Sequence, residues 1–148
     1  MCLHLMKGGK GKDFAVLILR LMLGVVFIYH GAMKLMAISA TAGFFASVHI
    51  PMANIMAPLV GVVEVATGVM MILGMMTSIA AWLMTFTMLG AIGFVHIGNG
   101  FSASKGGYEF ALTLLVMAQA VLHLGHGKYS VCKCEGKDGV CGTCKADA

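Results

Sequence analysis

Charge is what this sequence has least of. Ten basic and six acidic residues leave only 11% of its 148 residues charged, against about 25% in a typical soluble domain. That shortage excludes an ordinary water-soluble fold. A basic surface interleaved with aromatic residues is missing too, which excludes nucleic acid as a partner. No small-residue cleavage site cleanly follows the first apolar run, which is too long for a signal-peptide core and carries Arg20. It reads as a retained first membrane span. Internal repeats are absent, which argues against an inverted-repeat transporter. Within the apolar region there is no flavin, haem or cluster motif.

The remainder is 59% hydrophobic with a mean hydropathy of +0.93, the composition of one membrane domain with short tails. Four apolar runs, about 14–36, 53–75, 78–97 and 108–124, meet or approach the ~20 residues a bilayer core requires. The last is the shortest. A basic, glycine-containing leader covers 1–13. Phe44, Phe45 and Val48 have the spacing of a short interfacial helix ended before Pro51. Pro58 falls in the first turns of the second span, where proline is tolerated. Thr77 and Ser78 form the turn into the third. The expected fold is an all-α integral membrane four-helix bundle over 14–130, with a cysteine-rich tail at 131–148. Lys7, Lys10, Lys12, Lys128, Lys133, Lys137 and Lys145 lie on the side of the termini, and only Lys34 and Lys105 lie opposite. The positive-inside rule then puts both termini in the cytoplasm.

Ionisable residues at membrane depth mark function, because lipid tolerates them poorly. Arg20, Gly24, Phe27, Gly31 and Lys34 share one stripe of the first span, with His30 beside it. Glu64 lies mid-way along the second span between Gly61 and Gly68, small residues that admit a neighbouring backbone. An unpaired carboxylate there would stay protonated. Arg20 is the expected bidentate partner, in a pair that fixes helix register. Lys34 either snorkels to the interface or joins a site. His30, Lys34, His96, Asn99, Tyr108 and Glu109 all fall in one outer-leaflet layer. A single histidine would read as a core residue, whereas two at one depth point to a ligand or proton-transfer site. The 14 methionines read as apolar filler rather than a copper path.

Four of the five cysteines close the chain as two near pairs, Cys132 with Cys134 and Cys141 with Cys144. Such a set suits a tetrahedral zinc site. The spacing is not one of the usual iron–sulfur runs, which places a cluster behind zinc as the metal. The alternatives to a metal site are dithiol–disulfide cycling and a disordered tail with no site. A structural disulfide is disfavoured in the cytoplasm.

LRLMLGVVFIYHGAMKL (19–35), GFFASVHIP (43–51), VGVVEVATGVMMILGMMT (60–77), VHIGNGF (95–101), GGYEFALTLL (106–115) and HGKYS (126–130) together resemble the DoxX family of small four-helix membrane proteins. The resemblance covers every span and leaves the tail from Val131 outside. It implies a bundle in the cytoplasmic (inner) membrane of a bacterium or archaeon. It also implies a link to quinone and thiol redox systems, since DoxD-type proteins are tied to thiosulfate:quinone oxidoreduction. Arg20, His30, Lys34, Glu64, His96, Asn99, Tyr108 and Glu109 are the family-type polar residues. The functional expectation is a quinone-linked oxidoreductase or its membrane subunit. His30 and His96, with Asn99, would bind the head group, Tyr108 would donate a hydrogen bond, and Glu109 would relay protons. Lys34 would stabilise negative charge or attract an anionic sulfur substrate. The alternative is a non-enzymatic accessory subunit of a larger redox or metal-handling complex, clipped to its partner by zinc in the tail.

Overall fold

The computed structural model describes residues 9–131. Cys2 and the four tail cysteines Cys132, Cys134, Cys141 and Cys144 lie outside that range, so the metal assignment of the tail does too. Every regular element among the described residues is helical. They are α1 (Gly9–Met36), α2 (Ile38–Ser47), α3 (Ala53–Leu73), α4 (Thr77–Gly90) and α5 (Glu109–Leu124). Residues Ala91–His96 continue α4 as a π-helical turn, and Ile97–Asn99 add a 3₁₀ turn.

Three helices, Gly11–Met36, Ala53–Leu73 and Thr77–Asn99, are long and apolar enough to cross a membrane. At 1.5 Å per residue the 16 residues of α5 reach only about 24 Å. α1 starts at Gly9, ahead of the expected boundary at Phe14. The α3–α4 connection falls at 74–76 rather than at Thr77 and Ser78, because Gly74 takes a left-handed conformation (φ 75°). Its N–H and that of Met75 then close the helix end on the carbonyls of Met71 and Met70, a Schellman arrangement. Pro58 sits inside the start of α3, as expected.

The four long elements form a closed ring in which α1 packs on α3, α3 on α4, α4 on α5 and α5 back on α1. Leu23, Phe27, Met71, Met84, Met88, Leu114, Ala118 and Val121 fill the centre. Outward-facing Val25, Val62, Phe86 and Val116 stay exposed. This inside-out distribution is that of a multi-pass protein in contact with lipid. Gln119 Nε2 donates to Thr85 Oγ1 across α4 and α5 at 2.7 Å, polar glue that lipid cannot compete for.

Glycines set the α1–α3 contact. A Cβ on Gly24 would lie 2.8 Å from the Gly68 carbonyl oxygen, and one on Gly31 would lie 2.8 Å from that of Gly61. The two backbones therefore touch, antiparallel, with Gly24 opposite Gly68 and Gly31 opposite Gly61. α2 packs against the first half of α3 through Ala42, Phe45 and Ala57, at the end of the bundle where α1 finishes.

Candidate functional site

The α1–α3 register decides which charges meet. It sets Arg20 level with Ile72, eight residues beyond Glu64, or about 12 Å along the axis. The expected Arg20–Glu64 pair therefore does not form. Lys34 takes the carboxylate instead, with Nζ 2.6 Å from Glu64 Oε2. Helical side chains lean toward their own N-terminus. On antiparallel helices, Lys34 and Glu64 thus lean toward the common level of Gly31 and Gly61. The Glu64 side chain is 4% exposed and that of Lys34 25%, so Lys34 does not simply snorkel.

Arg20 is fully buried at the opposite end of the bundle, where, among the described residues, its guanidinium binds carbonyls only. Nε donates to Met71 O (2.9 Å), Nη2 to Ile72 O (3.1 Å), and Nη1 to His126 O (2.7 Å) and Tyr129 O (2.9 Å). The first two belong to the C-terminal turn of α3, where unpaired carbonyls and the helix dipole favour a cation. The other two fix the segment after α5. The Lys128 N–H donates to Asp13 Oδ1 (3.2 Å), and the Val131 N–H to Leu73 O (3.0 Å).

At the Lys34–Glu64 end the helices enclose a cavity of about 430 Å³, within the usual range for small-ligand sites. Its wall is mostly apolar, with Phe27, Phe45, Met88 and Leu114 prominent, and its polar groups are His30, Lys34, Glu64, Thr87 and His96. His30 packs against the Phe110 ring at 6.2 Å. His96 closes the π-helical turn, and its Nδ1 lies 2.7 Å from Gly106 O. A carbonyl oxygen can only accept, so Nδ1 carries the hydrogen and the neutral ring keeps a bare lone pair on Nε2. π-Helical turns are rare and are frequent at functional sites. This one supplies Ala91, Phe94, Val95 and His96 to the cavity wall.

Of the expected layer, His30, Lys34 and His96 converge on the cavity together with Glu64. Asn99, Tyr108 and Glu109 do not line it, and they build the loop beside it. Asn99 Nδ2 donates to the same Gly106 O at 3.2 Å, Tyr108 meets Phe101 edge-on at 5.5 Å, and the Glu109 N–H donates to Phe101 O. Glu109 also stands in the first turn of α5, where a carboxylate complements the dipole. The sequence reading missed Thr87, Phe94 and Phe110 as lining residues. Among the described residues no three His, Cys, Asp or Glu side chains are grouped to hold a metal ion.

The family model for DoxX matches residues 15–97, more than half of the chain and every cavity element except α5. The chain belongs to the DoxX family. Among curated proteins this DoxX chain is 32% identical to "Putative oxidoreductase CatD" of Bacillus subtilis (strain 168) over 107 residues, 72% of this chain and 76% of the relative. It is 31% identical to "Uncharacterized membrane protein Rv3486" of Mycobacterium tuberculosis over 128 residues, 79% of this chain and 78% of the relative. No solved structure matches it.

Proposed function

We propose that this DoxX protein is a membrane oxidoreductase component whose cavity binds a quinone head group, with both termini on the cytoplasmic side of a bacterial or archaeal cytoplasmic membrane. The carrying observation is the convergence of His30, His96 and the Lys34–Glu64 pair on one otherwise apolar cavity. The name of the Bacillus subtilis relative supports the reaction class, and the lysine count supports the orientation.

A quinone needs donors to its carbonyls and acceptors for the protons of its reduced form, and when bound it supplies two-electron, two-proton redox chemistry. Lys34 has three N–H groups, of which Glu64 takes one, so a donor remains for a head-group oxygen. His96 is held by Gly106 in the tautomer whose Nε2 accepts a proton. The Glu64 carboxylate keeps the Lys34 charge compensated, so the site as a whole favours a neutral ring over a free anion. The apolar wall excludes water from the exchange. Electrons reach the site from a redox partner, whereas the tail cysteines Cys132, Cys134, Cys141 and Cys144, which we assign to a zinc site by their spacing, hold a metal that carries no electrons.

The decisive measurement is quinone content after purification from native membranes. Wild-type protein is expected to retain quinone above the level of co-purified lipid, and His96→Phe to lose it. A wild-type preparation at lipid background, or equal retention by the variant, would sink the reading. Metal analysis of the same preparation, compared with Cys141→Ser/Cys144→Ser, tests the tail. Zinc well below one per chain, or unchanged in the variant, would remove that assignment.

A further inference from the structure

The cavity has a polarity gradient. Its charged pair is deep, with Glu64 almost fully buried, whereas its rim is aromatic. Phe44 from α2, Phe94 from the π-helical turn and Phe110 from α5 all line the cavity, yet they are 49%, 53% and 48% exposed. A wall residue that is also half-exposed stands at an opening. This opening therefore lies between α1, α2, the π-helical turn and α5, framed by three phenylalanine rings and the exposed His30.

The polar loop beside the cavity takes no part in the opening. No residue from Ile97 to Glu109 lines the cavity, although Ser102, Ser104 and Lys105 are on that loop. A mouth that exchanged ligand with water would be expected to carry such side chains at its rim. Phenylalanine at a half-exposed position on an apolar bundle instead meets acyl chains. At the mouth, His30 is exposed and rests against the Phe110 ring. A ligand passing the rim thus meets an imidazole before it reaches Lys34.

We propose that this mouth opens sideways into the bilayer and admits a lipid-soluble quinone head first, the head group reaching Lys34 and His96 while its long apolar tail stays threaded between Phe44, Phe94 and Phe110. This rests on the quinone reading above and adds the route and the tail to it. The site then selects for amphiphilic, membrane-dissolved quinones over water-soluble ones. Its working concentration is set by the lipid pool.

The test uses the full chain in lipid nanodiscs with two photoreactive benzoquinones of one head group. One is tail-less with an azide on the ring, and the other carries a decyl tail ending in a diazirine. The ring probe is expected to tag the walls near His30, Lys34 and His96, and the tail probe to tag Phe44, Phe94 or Phe110 together with bilayer lipid. Phe110→Gln should lower tail-probe labelling by about five-fold, the order expected for losing half of a phenylalanine contact, and lower ring-probe labelling by clearly less. Ring tagging of the walls with tail tagging on the 97–109 loop would overturn the sideways mouth and leave the quinone site standing. Equal loss of both labels in Phe110→Gln would overturn it in the same way. Failure of the ring probe to tag the walls would remove the quinone site and this proposal together.

Discussion

Among the described residues Arg20 has no carboxylate beside it, and four carbonyl oxygens carry its charge in place of one. Dipoles at a helix terminus can do this because they are already oriented and need no second ion to be desolvated. Arg20→Met should therefore destabilise the fold by about 3 kcal/mol or more, because it leaves buried acceptors unpaired. Arg20→Lys keeps the charge but not the fork, and it should recover only part of the loss. Equilibrium unfolding in mixed micelles measures both, and hydrogen exchange should rise first over His126–Val131. The Lys34–Glu64 pair makes a different forecast. Lys34→Met strands a buried carboxylate and should cost about 3–5 kcal/mol, whereas Lys34→Met with Glu64→Leu should recover most of it. If the double variant is no more stable than the single one, the pair is not acting as a unit. The sequence displayed all three ionisable residues but not their pairing. Carbonyls at a helix end have no residue signature, so Arg20 seemed to need Glu64. The register that separates them was written in the glycines, since Gly24 and Gly31 match the spacing of Gly61 and Gly68. Laid antiparallel, those pairs exclude Arg20 from Glu64 and bring Lys34 to it.

At the scale of elements, α1 and α3 approach as closely as backbones can. Gly24→Ala or Gly68→Ala forces a methyl against a carbonyl on the facing helix. Each should cost about 1–3 kcal/mol. Gly43→Ala is the control, because nothing lies within 4 Å of its added Cβ. In the interior of α2 it should be neutral or stabilising by up to about 1 kcal/mol. A thermal-unfolding series in one detergent compares the three, and a Gly43→Ala penalty as large as that of Gly24→Ala would refute the account of the contact. The π-helical turn widens the end of the third span, so its length matters as much as its composition. Deleting Gly93 should restore an ordinary α-helix there and turn His96 by about 100°. The helical circular dichroism should survive while quinone retention falls to background. Element existence was plain from apolar runs of bilayer length. The π-helical turn was not, because Ala91–His96 carries no residue that marks such a turn.

The whole molecule is polar at its two ends for different reasons. One end is tied by Arg20 and the segment after α5, and the other holds the cavity and its charged pair. The proposed orientation predicts that a membrane-impermeant maleimide added to intact cells labels Ser104→Cys and leaves native Cys2 and the tail cysteines unlabelled until the membrane is opened. Labelling of the native thiols in intact cells would reverse the orientation. Of the four expected spans, three are long enough to cross a membrane and α5 is not. The all-helical bundle and the convergence of both histidines on one cavity were legible from hydropathy and depth. The loop roles of Asn99, Tyr108 and Glu109 were not, because depth alone cannot tell a residue that faces inward from one that braces its neighbour.

Biosynthesis inherits a timetable from the Arg20 contacts. Its first two acceptors are translated 51 and 52 residues after it, and its last two 106 and 109 residues after it. A nascent first helix therefore enters the membrane with a guanidinium that no neighbour yet answers; α3 brings two acceptors, and the other two arrive only when almost the entire bundle has left the ribosome. A chain that stops at Gly125 has every span but lacks both late acceptors. It would remain open at one end, recognisable to membrane quality control by a guanidinium whose Nη1 has no acceptor.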